Sequence, residues 1–159
     1  MRRRGGIGLW IAGGFAALAL AAVGLTVAGG GSPRVATPVA LAAAVPVDEP
    51  GLRALVRDPA VLATGRAIFD GLCWNCHGRA GEGTLTAPNL RDDWWIGGND
   101  MTDLVRVIRE GRPGTAMQSM STYYTPAQIA AVAAFVVSLQ GTSGGNGKAP
   151  EGVLDPIAW

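Results

Sequence analysis

Apolar positions in the middle of the chain recur at helical spacing. Val61, Leu62, Gly65, Ile68, Phe69 and Leu72 fall three and four residues apart, which predicts a first helix running into Cys73-Trp74-Asn75-Cys76-His77. A second helix is expected over 100–111, where Leu104, Val107 and Ile108 make one apolar face and Gly111 stops it. The last helix has the sharpest boundaries. Thr125-Pro126-Ala127-Gln128 reads as a capping box with proline at the first helical position, and Gly141 closes the element. Its buried stripe is Ile129, Val132, Ala133, Val136 and Val137. Gly65 carries no side chain where the first and last helices are expected to cross, so Phe135 or Val136 has room to approach. The pattern is that of an all-α folded unit over residues 60–141, with no internal repeat.

The flanks have a different texture. Ile7–Ala28 contains neither a charge nor a proline and would be about 33 Å long as a helix, enough for one transmembrane span. A cleaved signal peptide usually has a shorter apolar region of about 7–15 residues, so length favours a retained anchor. The basic start, residues 1–6 with Arg2, Arg3 and Arg4, is expected to stay cytoplasmic and leave everything after the anchor outside. Residues 29–59, rich in Gly, Pro, Ala and Val, read as a flexible linker. The tail, 142–159, is Gly/Ser/Pro-rich, yet it carries Val153, Leu154, Ile157 and Trp159, which are unusual for a purely solvated end.

Net charge is +1, but four of the thirteen basic residues lie at or before Arg34. From Val47 onward nine basic side chains face twelve acidic ones, so the folded part has no basic excess for nucleic acid.

Candidate chemistry concentrates in C-x-x-C-H, which uses both cysteines and the only histidine of the chain. Two cysteines three apart lie on one side of a helical turn, where they can form thioethers to the two vinyl groups along a haem edge while the adjacent imidazole reaches the iron. A zinc site would need further Cys or His ligands, and the chain has none. A thioredoxin-like dithiol would need a surrounding βαβ pattern, which the sequence does not show. The motif therefore predicts one covalently bound haem c, with Cys73 and Cys76 as attachment points and His77 on the iron. Such attachment is made on the outer side of bacterial membranes. The expected location is thus the inner membrane, with the folded unit on the periplasmic side.

No second histidine exists to fill the sixth iron position. Met101 stands at a helix start close behind the proximal loop, and Lys148 would ordinarily be protonated. Met117 and Met120 occupy a Gly/Pro-containing loop between the last two helices, which can lay a thioether over the second face.

The run from Gly65 to Gly141 resembles a class I cytochrome c domain, and more narrowly the haem-c domains of subunit III of cbb3-type oxidases. Its motifs are Cys73-Trp-Asn-Cys-His77-Gly78, Glu82-Gly83, Ala87-Pro88-Asn89-Leu90-Arg91-Asp92-Asp93-Trp94-Trp95, Gly111-Arg112-Pro113-Gly114 followed by Met117, and Ile129 through Leu139. The resemblance implies the class I cytochrome c fold, with terminal helices crossing and loops enclosing haem. It also implies that the Pro88 carbonyl accepts from the His77 ring N–H, that Leu90 lies in the haem-binding loop, and that Met117 is the sixth ligand. Two departures stand out: Gln118 replaces the family's proline after the ligand, and Met120 falls where an aromatic is usual.

Trp94, Trp95 and Arg112 are donor-only groups suited to haem propionates. Trp74, between the cysteines, is expected near the exposed haem edge or as a lid, and Asp92 and Asp93 as a solvated turn. The function expected is single-electron transfer between redox-protein partners, among them a haem–copper oxidase or another respiratory complex, without catalysis or a small-molecule substrate. Two rivals remain. A haem-based gas or redox sensor would bind carbon monoxide when reduced, and a thiol–disulfide oxidoreductase would carry no covalent haem.

Overall fold

The computed structural model describes residues 48–98 and 100–155. The anchor Ile7–Ala28, the basic start, most of the linker, Ile157 and Trp159 lie outside the described residues. Among the described residues no helix is long and apolar enough to cross a membrane.

Among the described residues, five helices surround one core. They are α1 (Glu49–Leu55), α2 (Pro59–Ile68), α3 (Trp74–His77), α4 (Met101–Glu110) and α5 (Pro126–Ser138), with a π-helical turn, Phe69–Cys73, joining α2 to α3. Helix α1 corrects the linker reading. Its Leu52 is 2% exposed and belongs to the core, so the last part of the expected tether is folded structure. Asp58 ends the short connection and caps α2, its carboxylate accepting from the Ala60 and Val61 amides with Pro59 at the first helical position.

The predicted crossing of the first and last helices is present, and it is tight. A Cβ at Gly65 would sit 2.1 Å from the Ala131 carbonyl oxygen and 2.7 Å from the Phe135 Cβ, so only glycine admits this approach. Phe69 and Phe135 then pack ring to ring at 5.4 Å between centroids. Helix α5 is buried continuously from Ile129 to Val137 rather than along one stripe, because α1, α2 and α4 all pack on it. Its capping box is complete: Thr125 Oγ1 accepts from the Gln128 amide, and Gln128 Oε1 accepts from the Thr125 amide. Asp100 caps α4, and Gly111, at φ +76°, ends it as the sequence predicted.

The all-α reading needs one amendment. Trp94–Trp95 (β1) pairs antiparallel with Val153–Leu154 (β2), Trp94 opposite Leu154 and Trp95 opposite Val153. The C-terminal tail thus folds back onto the domain.

Candidate cofactor site

Between the helices and the connecting loops lies a cavity of about 890 Å³, within the range of about 300–1,000 Å³ usual for small-molecule and cofactor sites. All nine residues predicted for the site line it: Cys73, Cys76, His77, Pro88, Leu90, Trp94, Trp95, Arg112 and Met117. They come from four separate stretches of chain, which the helical crossing gathers around one space.

The proximal wall is made locally. The π-helical turn carries Cys73 into α3, which supplies Cys76 and His77; such turns recur at functional positions in helices. Gly78 follows at φ +84°, a conformation that lets the chain leave the helix sharply. The loop then returns so that the Pro88 carbonyl stands 3.1 Å from His77 Nδ1. That contact fixes the ring with Nδ1–H as donor and leaves Nε2 available to a bound metal. Burial holds the imidazole below its ordinary pKa, against the smaller opposing pull of the Pro88 carbonyl, so the ring is mostly neutral at pH 7. Burial also pushes the Cys73 thiol up, opposed by a local backbone hydrogen bond. A reactive dithiol needs the opposite shift, which argues against disulfide chemistry at this pair.

A second part of the wall comes from the loop after α4. The Arg112 amide donates to the Met117 carbonyl at 2.8 Å, and a Cβ at Gly111 would strike the Gln118 and Ser119 backbone. This tight return faces Met117 and Met120 onto the cavity together. Met120 is held by its amide on the Ile108 carbonyl at 3.1 Å. Met101 is fully buried in the core and lines no part of the cavity, whereas Lys148 does line it.

The remaining wall is mostly apolar, with Ile68, Phe69, Leu104, Val132 and Val136 among its residues. Among the described residues, three buried polar atoms beside it have no hydrogen-bond partner: Trp95 Nε1, Asp92 Oδ2 and Gln140 Oε1. An indole N–H only donates, so Trp95 calls for an acceptor such as a carboxylate on a bound group. A largely apolar cavity lined by two cysteines, a neutral imidazole, two thioethers and an orphaned indole donor fits haem c.

Some expectations change. Trp74 does not line the cavity; it is half-buried against the core, and the Arg79 guanidinium lies over its ring at 4.3 Å. Asp92 is not a solvated turn residue, since burial raises its pKa and leaves one oxygen orphaned. Arg112 Nη1 donates to the Ile96 carbonyl at 2.5 Å and still reaches the cavity wall. Gln140, Tyr124 and Glu151 line the cavity as well, and no motif in the sequence marked them.

Residues 60–136 match the family described as cytochrome C oxidase, cbb3-type, subunit III. Subunit CcoP of the cbb3-type cytochrome c oxidase of Rubrivivax gelatinosus is 34% identical over 88 residues, covering 55% of this chain and 29% of that protein. Subunit FixP of Bradyrhizobium diazoefficiens is 40% identical over 81 residues, covering 50% of this chain and 28% of that protein. The chain therefore spans less than a third of the length of either relative. Among solved structures, cytochrome cL from the marine methylotroph Methylophaga aminisulfidivorans is 22% identical with a TM-score of 0.49, covering 60% of this chain and 73% of that one. These sequence matches fall on the same residues that build the cavity, and they make the folded unit similar to the haem-c domains of cbb3-type oxidase subunit III.

Proposed function

We propose that this protein is a membrane-anchored c-type cytochrome with one haem, passing single electrons between respiratory partners on the periplasmic side. The observation that carries this reading is the meeting of Cys73, Cys76, His77 and Met117 on one largely apolar cavity, with His77 held by Pro88. The subunit identity of the relatives favours a haem–copper terminal oxidase as the complex served.

Each residue has a definite task. Cys73 and Cys76 attach the group by thioethers, His77 Nε2 and the Met117 sulfur hold the iron, and Trp94, Trp95 and Arg112 offer donors to its carboxylates. Pro88 orients the imidazole and raises its basicity. Leu90 and the aliphatic wall exclude water. Haem c bound there would supply a one-electron couple, with His77 and Met117 as the residues that would hold its iron.

Haem-stained denaturing gels of the membrane fraction, with pyridine haemochrome spectra, test the attachment; a chain with both Cys73→Ala and Cys76→Ala should carry no haem that survives denaturation. A preceding native dimension separates a subunit under a large complex from a free carrier. Protein without covalent haem would sink the reading, and carbon monoxide binding by the reduced protein would favour a sensor instead.

A further inference from the structure

The family match ends at residue 136, but the chain continues as ordered structure over the cofactor cavity. Residues 142–155 cross the loop 82–95 and are sewn to it at three places. At the first, the Ser143 amide donates to the Arg91 carbonyl at 3.2 Å, while Arg91 donates back to Thr142 Oγ1 and to the Thr142 carbonyl. At the second, the Lys148 amide donates to the Glu82 carbonyl at 2.8 Å, and Asn89, the one buried polar residue in the described core, donates to the Lys148 carbonyl. At the third, β2 pairs with β1 and the Asp155 amide donates to the Asp93 carbonyl at 3.0 Å.

Two glycines make this closeness possible. A Cβ at Gly147 would lie 2.5 Å from the Glu82 carbonyl oxygen, and one at Gly152 would lie 2.0 Å from that of Trp95. Both have left-handed φ, +115° and +104°. The strap also brings charge to the cavity. Lys148 Nζ pairs with Glu151 Oε2 at 3.0 Å, and both residues line the space described above.

We propose that residues 142–155 are a working part of the cofactor site: a strap that locks the loop carrying Pro88 and Trp95 and places the Lys148–Glu151 pair at the cofactor's edge, setting its reduction potential. The inference rests on the haem c reading of the cavity. Reduction by an external redox donor adds one electron and therefore one negative charge to the bound group. A nearby ammonium favours the reduced form and a nearby carboxylate the oxidised form. Water admitted by an opened strap favours the more highly charged form, the oxidised one. Lys148, Glu151 and the strap glycines are positioning residues: they act on the potential through field and enclosure.

The test uses the full chain with haem attached. Pyridine haemochrome spectra first establish that each variant carries haem; if none does, the haem reading has failed, not the strap. Reduction potentials by spectroelectrochemistry and amide hydrogen exchange are then compared. Lys148→Gln should shift the potential down and Glu151→Gln should shift it up. Gly152→Val should shift it down and speed exchange of amides in 82–95 by tenfold or more, leaving those of α2 and α5 as they are. Asn146→Ala is the control, since Asn146 is an exposed residue of the strap; it should leave the exchange of 82–95 and the potential unchanged. Potentials that do not respond to either charge variant, or that shift in one direction for both, would overturn the role of the pair. Unchanged exchange in 82–95 for Gly152→Val would overturn the strap.

Discussion

The α2–α5 crossing and the loop-and-strap wall enclose the same cavity by opposite means. The crossing is made of side chains: Gly65 against Ala131, Phe69 against Phe135, and a helix buried from Ile129 to Val137. The wall is made of main chain: amides and carbonyls of 82–95 matched to those of 142–155, with glycines where a Cβ would collide. Side-chain packing answers to size and is lost with a methylene. Backbone matching is indifferent to most side chains and fails where conformation or close approach is disturbed. The cavity depends on both, a rigid frame of helices and a fitted cover of loop and strap.

The contrast can be broken from either side. Phe69→Ala, at a fully buried ring, should cost about 3–5 kcal/mol in global stability by denaturant titration. Gly65→Ala should follow at about 1–3 kcal/mol, because the Ala131 carbonyl oxygen stands 2.1 Å from the new methyl and belongs to rigid backbone. A cap should matter less. Asp100→Ala removes the acceptor of the Asp103 amide, and about 1 kcal/mol is expected by thermal melting, confined to α4.

The same carboxylate gives a pH signature. The Thr102 hydroxyl, followed by the Asp103 amide, holds Asp100 below the ordinary carboxylate range. Its contribution is therefore complete above the unfolded pKa and is lost as pH falls through the lower folded value. Asp100→Asn should flatten that acid limb while keeping the cap, which stability measured from pH 7 to 3 would reveal. Smallest of all, Arg66→Gln should move stability by less than about 0.5 kcal/mol, since its pair with Asp70 is half exposed. A large effect there would mean that the cation over the Phe135 ring, at 5.6 Å, matters more than the ion pair.

What could be read in advance was local. The C-x-x-C-H run, the Thr125 capping box, the Gly111 stop and the missing side chain at Gly65 each announce themselves within a few residues. Helix α1 was hidden because a seven-residue element with a single buried leucine sits within Pro-rich sequence. The π-helical turn interrupts no apolar spacing, so periodicity alone passes through it. Lys148 and Glu151 belong to no motif. Asp92 stands inside the family's Asp-Asp-Trp-Trp run, and nothing in that run marks one of its oxygens as buried.

The chain by itself determined the cofactor chemistry and the frame, because thioether attachment needs a fixed short spacing and helices are written in nearest-neighbour turns. Only the tertiary structure decided which loop covers the cavity and that the tail closes over it. Those pairings join backbone groups as far as 66 residues apart in sequence, as between Glu82 and Lys148. Nothing in the local pattern of side chains records with whom a distant carbonyl will pair.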